Sequence, residues 1–121
     1  MRLAANLLIG LVILEHLWFA VLEMLLFKRD LGRATFGLTV EEAAKTAPLA
    51  SNVGFYNACF AAGLAWSLFA SPELQLPLQR FFLGCVALAG LFGGFTLGLP
   101  TFLAQGLPAI AALVLVHLAA R

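Results

Sequence analysis

The chain has 121 residues, of which 63% are hydrophobic and 11% charged, where an ordinary soluble domain carries about 25% charged residues. Seven basic and six acidic side chains, net charge +1, cannot cover the wet surface of so short a soluble domain and leave no basic stripe for nucleic acid. Lipid is the natural solvent for such a surface, and a water-soluble or nucleic-acid-binding class is excluded.

The first apolar run covers residues 3–27 and is stopped by Lys28-Arg29-Asp30. It is too long for a signal-peptide core, it contains Glu15, His16 and Glu23, and no small-residue cleavage site follows, so it is expected to stay as a helix. Further runs cover residues 49–70, ended by Ser71-Pro72, then 77–97, closed by Gly98-Leu99, and 100–120. Each is long enough to cross a hydrocarbon core of about 30 Å at about 1.5 Å per residue. Because lipid offers no partner to a stray backbone group, these segments should be helical. The short connections at residues 71–76 and 98–99 make the second, third and fourth segments antiparallel neighbours.

The expectation is an all-α integral membrane four-helix bundle, up-down-up-down, forming a single transmembrane domain over residues 1–121. The one long connection covers residues 28–48. Within it Thr39-Val40-Glu41-Glu42 has the capping-box pattern of a Thr followed three residues later by Glu. That pattern suits a short interfacial helix over residues 40–47, with Phe36-Gly37-Leu38 dipping into the interface, or an ordinary solvated loop. Lys28, Arg29, Arg33 and Lys45 lie on this side, against Arg2, Arg80 and Arg121 on the other. The positive-inside rule then tips residues 28–48 toward the cytoplasm.

Polar residues inside a span need a reason, because an ionised group at mid-bilayer costs about 2.5 to 3.5 kcal/mol even on a lenient scale. Their depths follow from the rise per residue. Glu23 falls about 12 Å from the midplane, Asn52 about 10 Å and Tyr56 about 5 Å, all toward the long connection, and Asn57 is nearly central. Thr96, Thr101 and Gln105 occupy the same half. At about 100° per residue His16 and Glu23 share a face of the first helix, whereas Glu15 sits about 100° away and would face a neighbouring subunit or be neutral. Asn52, Tyr56, Cys59 and Gly63 form one stripe on the second. The other half holds Asn6, Gln79, Arg80 and His117, with Arg80 snorkelling to the head groups.

These polar residues have two readings. They can simply bond helix to helix, at about 0.6 to 2 kcal/mol each, with Glu23 drawn to Lys28 and Arg29. Their shared depth favours a site: Glu23 as the charged or proton-accepting group, His16 beside it, and Asn52, Tyr56, Asn57 and Gln105 orienting a small apolar molecule or a lipid. Two alternatives stand beside it, an accessory subunit or homo-oligomer without a small-molecule site, and a minimal proton-coupled transporter acting as an oligomer.

Gly90 and Gly94 make a GxxxG pair extended by Ala87, a face that lets a helix of the same chain or of a second copy approach closely. Trp66 suits an interfacial belt, and Trp18, deeper, a packing position or pocket wall. Cys59 and Cys85 lie in apolar runs without a CxxC partner and are expected as buried packing residues. No HExxH, Cys/His cluster, phosphate loop or GxSxG is present, so neither metal nor cofactor is expected.

The segments Leu22-Glu23-Met24-Leu25-Leu26-Phe27, Gly32-Arg33, Phe36-Gly37-Leu38, Asn52-Val53-Gly54-Phe55-Tyr56-Asn57, Ala61-Ala62-Gly63-Leu64-Ala65-Trp66 and Phe81-Phe82-Leu83-Gly84-Cys85-Val86 together resemble a family of small bacterial membrane proteins, the family called domain of unknown function 1304, in order and spacing over nearly the whole chain. The resemblance implies a four-helix protein of the bacterial inner membrane and carries no activity. The family usually has Gln where this chain has Val53 and Trp where it has Phe27. Its motifs fall on Glu23, Asn52, Tyr56 and Asn57, which the depth argument selects independently.

Overall fold

The computed structural model describes all of residues 1–121 and is all-α. Five continuous helices follow in order: α1 Arg2–Leu26, α2 Asp30–Phe36, α3 Val40–Phe69, α4 Pro72–Thr96 and α5 Leu99–Ala119. Of these, α1, α4 and α5 are long and apolar enough to cross a membrane, at 25, 25 and 21 residues. The span expected at residues 49–70 lies inside α3, which is not among them. Asn52, Tyr56 and Asn57, within a few turns of one another, lower its apolarity.

Local chemistry explains where the helix ends depart from the apolar runs. Thr39 forms the expected capping box: its N–H and its hydroxyl both meet Oε2 of Glu42 at 2.9 Å, and the Glu42 N–H donates back to the Thr39 hydroxyl at 3.2 Å. The helix so capped is not the short one expected over residues 40–47. It runs through Pro48 as the first turns of the 30-residue α3. Pro48 removes one backbone donor, but the strong helix formers before it keep the α-conformation on both sides. Ahead of it residues 30–36, expected as loop, form α2. Gly37 ends α2 at φ +67°, a left-handed position suited to glycine, and the Leu38 N–H donates to the Arg33 carbonyl at 2.9 Å.

The third span starts at Pro72, not at residue 77. Ser71-Pro72-Glu73 is an N-terminal signature, a capping residue followed by Pro in the first turn and an acid, and the Ser71 carbonyl accepts from the N–H groups of Leu74 and Gln75. Two helices contain a π-turn, Leu22–Leu26 in α1 and Phe102–Gly106 in α5. In the second, the Leu107 N–H reaches back five residues to the Phe102 carbonyl just before Pro108, which has no N–H to give.

The chain forms two compact units, Met1–Glu15 with Phe60–Arg121, and His16–Cys59. The first is organised around Ile9, Val12, Leu64, Leu83, Val86 and Ala112, all essentially sealed. Within it α4 and α5 approach backbone to backbone: a Cβ on Gly90 would run into the backbone of Gly106, and one on Gly94 would lie 2.8 Å from Cβ of Phe102. The GxxxG face is thus used within the chain. Gly98, at φ +108°, makes the turn between these helices. In the second unit α2 folds back on α1: Gly32 lies against the Leu26 carbonyl, and the Phe27 and Phe36 rings sit 5.3 Å apart. That contact also explains why an aromatic stands at position 27.

The outer surface is apolar. Phe69 and Phe95 are 87% and 85% exposed, and no more than 33% of any candidate span is buried. Such a surface belongs in lipid.

Two outcomes follow from this packing. Gly90→Ala should destabilise the protein by about 1 to 3 kcal/mol, as overpacking does, while Gly84→Ala, where a Cβ meets nothing within 4 Å, should leave the melting temperature in detergent unchanged or slightly raised. The Thr39 backbone N–H, then its hydroxyl, hold the exposed Glu42 carboxyl below its ordinary value of 4.5. A depressed carboxyl stabilises fully above that value and loses its contribution as pH falls through the folded one. Amide exchange at the start of α3 should therefore accelerate on acidification, and Glu42→Gln should flatten that dependence.

Candidate functional site

The second unit brings α1 and α3 together through a glycine. A Cβ on Gly54 would lie 2.7 Å from Cγ of Met24, 2.9 Å from Cβ of Glu23 and 3.3 Å from the Ala20 carbonyl, so only hydrogen at this position permits the approach. One turn further along α3, the Asn57 side-chain amide donates to Oε2 of Glu23 at 2.7 Å across 34 residues of sequence. Glu23 sits in the π-turn of α1, a local widening that recurs at functional positions in helices. The expected ion pair between Glu23 and Lys28 or Arg29 is not formed. The single ion pair is Arg33 with Asp30 at 2.6 Å, and Arg33 also donates to the Lys28 carbonyl.

His16 lies two turns before Glu23 on the same face of α1, with buried Ala20 between them. It is 2% exposed, and its ring meets Phe19 edge-on at 5.7 Å. Asn57 is also buried, and Glu23 is half-buried. Glu23 and Asn57 are thus in direct contact within this unit, and His16 is buried.

Asn52 and Tyr56 are placed differently. Both are exposed, Tyr56 by 55%, and neither makes a hydrogen bond within the chain. They lie on the stripe that the helical period gives them, but Asn57 and Gly54 are rotated from it, and it is the Gly54/Asn57 face that meets α1. Cys59 shares the outward stripe and is exposed, while Cys85 is half-buried. Neither is the sealed core residue expected of an apolar run, because a lipid-facing surface is itself apolar and burial cannot be read from hydropathy there. Both thiols are free. Trp18 too points outward, at 47% exposure. Gln105 belongs to the first unit, half-buried in the π-turn of α5 beside the Gly90–Gly106 contact.

Glu23 engages only Oε2, which leaves the carboxylate a free acceptor. Chemically the pair can orient a donor group or take up a proton. No three His, Cys, Asp or Glu side chains gather in a way that would hold a metal ion. Sequence reasoning missed the pairing role of Gly54, although a small residue one turn from a buried amide is the signal that would have found it.

The Asn57–Glu23 bond can be isolated by a double-mutant cycle. Asn57→Ala and Glu23→Ala together should be less damaging than their sum, with a coupling of about 1 kcal/mol, the usual scale of a hydrogen bond between membrane helices. A coupling near zero in detergent unfolding would show the bond to be incidental.

A family model described as a protein of unknown function, DUF1304, matches residues 10–117. No curated protein and no solved structure is found to match the chain. The matched segment takes in α1 from its third turn, the whole of α2 to α4 and nearly all of α5, including Glu23, Gly54 and Asn57, so the chain belongs to the DUF1304 family.

Proposed function

We propose that this DUF1304 protein holds a small, mostly apolar molecule or a lipid within the membrane, with its polar group at the Glu23 carboxylate. The observation that carries this reading is the Asn57–Glu23 contact: a carboxylate inside an apolar span, positioned by a neutral amide at 2.7 Å, with its second oxygen uncommitted. Placing a carboxylate in a span is expensive. If its only task were to receive one amide proton, a neutral acceptor would serve at lower cost. The spare oxygen is suited to a hydroxyl, an amide or a proton brought by a partner.

Asn52 and Tyr56 extend the same argument. They are exposed polar groups without a partner in the chain, on a helix whose stretch 49–70 we place in the bilayer as the fourth crossing segment. In hydrocarbon an unsatisfied polar group costs several kcal/mol, so a ligand or lipid head group supplying their hydrogen bonds would stabilise the protein. The resemblance of its motifs supports a bacterial inner-membrane location as part of this reading, and Lys28, Arg29, Arg33 and Lys45 favour residues 28–48 toward the cytoplasm.

A second reading, a structural subunit without a ligand, is favoured by the same bond, since Asn57 is buried and satisfied by Glu23 alone. The two readings separate at one substitution. Glu23→Gln keeps an acceptor for Asn57 and removes only the charge and the proton-accepting oxygen. Native mass spectrometry of protein released gently from membranes should detect a bound small molecule on the wild type and lose it in Glu23→Gln at unchanged melting temperature. Equal occupancy in both proteins would reject the ligand role, and a bare wild type would favour the structural one.

A further inference from the structure

The first unit contains a cavity of about 260 Å³ where the start of α1, the start of α4 and the end of α5 meet, walled by Arg2, Asn6, Gln75, Gln79, Ala5 and Val116 among others. The volume far exceeds the ~30 Å³ that one water occupies in the liquid, so it has room for a multi-atom group. Its walls are unusually polar for a chain of this composition. Gln79 is decisive: it is only 9% exposed, it lines the cavity, and its amide makes no hydrogen bond within the chain. The amide atoms are not sealed off but open onto the cavity, so whatever fills the cavity supplies their hydrogen bonds. Gln75 uses its amide N–H on the Ala70 carbonyl at 3.1 Å and keeps its oxygen as an acceptor. Asn6 makes no hydrogen bond, and Arg2 no ion pair.

The charge around this end of the unit is net positive, with Arg2, Arg80 and Arg121 against Glu73. Arg80 and Arg121 both direct guanidinium nitrogens at His117, to Nδ1 at 3.2 Å and to Nε2 at 3.5 Å. A neutral imidazole has one acceptor nitrogen, so it cannot satisfy both. Neither arginine has an acidic partner, since the one ion pair is Arg33–Asp30 in the other unit. The acid of the first turn of α4, Glu73, is exposed and is not part of the cavity wall. The first turns of α1 and α4 add the positive ends of two helices, against the negative end of one. All of these residues lie at the ends of spans, at the depth of lipid head groups.

We propose that this cavity binds the phosphate group of a phosphate ester, with Arg2 supplying the charge and the Asn6 and Gln79 amides donating to the phosphate oxygens. The free oxygen of Gln75 and the last carbonyls of α5 are acceptors for a hydroxyl or ammonium carried by the ester. This chemistry is shared by a phospholipid head group and by free phosphate. The site is independent of Glu23 and of the ligand reading given for it.

The test uses the full chain in detergent, titrated with phosphatidylglycerol, with diacylglycerol as the phosphate-free control, and with inorganic phosphate as competitor, all read by native mass spectrometry. Phosphatidylglycerol should bind in preference to diacylglycerol. Arg2→Gln should weaken it about tenfold, the scale of one charge-assisted hydrogen bond, and Arg2→Lys should restore part of the loss. Arg2 is exposed, so its replacement should leave the melting temperature unchanged, which keeps the test valid even if Gln79→Leu fails to fold. Displacement of the lipid by inorganic phosphate would support phosphate recognition and make the free anion a second source, and resistance to it would identify the lipid as the occupant. Equal binding of phosphatidylglycerol and diacylglycerol, or equal phosphatidylglycerol binding by wild type and Arg2→Gln, would overturn the proposal.

Discussion

Cohesion in this chain is limited by its solvent. Where lipid surrounds a helix, burying Leu against Leu gains little over leaving it among acyl chains, so the hydrophobic effect that holds a soluble domain together is largely unavailable between spans. What remains is close backbone contact and hydrogen bonding. The structure uses both in specific places: Gly90 on Gly106, Gly54 on the Ala20–Met24 turn, Gly32 on the Leu26 carbonyl, and one amide-to-carboxylate bond from Asn57 to Glu23. Each glycine contact removes a Cβ that would otherwise hold two backbones apart.

This constraint decides what could be read from sequence. The all-α class, three candidate spans and the capping box at Thr39 were legible because each rests on local chemistry: apolar length, obligatory backbone pairing in lipid, and a Thr–Glu spacing. Burial was much less legible. In a soluble protein the apolar face is the buried face, but here Phe69 and Phe95 point outward while Ser67, Gln79 and His16 are buried. Hydropathy therefore misplaces Cys59 and Trp18, which are apolar and exposed. Prolines mislead for a related reason. The apolar runs begin just after Pro48 and at Pro77, yet both prolines lie inside helices, since one missing backbone bond is a smaller loss than ending a helix and leaving several groups unpaired in an apolar environment.

The candidate site was half legible. Depth along the helix axis identified Glu23 and Asn57, because rise per residue is nearly constant. Rotation about the axis did not, because it depends on where the neighbouring helix approaches. Gly54 sets that approach, and Asn57 lies one turn beyond it, so Asn57 meets Glu23 while Tyr56, its neighbour in sequence, turns outward. A one-residue difference in sequence is about 100° of rotation, enough to separate a bonded amide from an exposed phenol.

The two π-turns sharpen the point about rotation. Inserting one residue into a helical turn shifts every later side chain by about 100° relative to an uninterrupted helix. In α1 the shift falls at Leu22–Leu26 and in α5 at Phe102–Gly106, and the two turns contain Glu23 and Gln105. Without it the period that aligns the earlier turns of α1 toward its neighbours would continue unchanged through Glu23. The sequence gives a local cause in α5, where Pro108 follows at once, but none in α1, where no proline or glycine lies within the turn. A distortion without a local cause must be maintained by its contacts, and in α1 those on either side of the turn are the Gly54 approach, the Asn57 bond and the docking of Gly32 on Leu26. The polar pair and the fold of its unit are then one arrangement: what holds Glu23 in place is also what holds α1, α2 and α3 together.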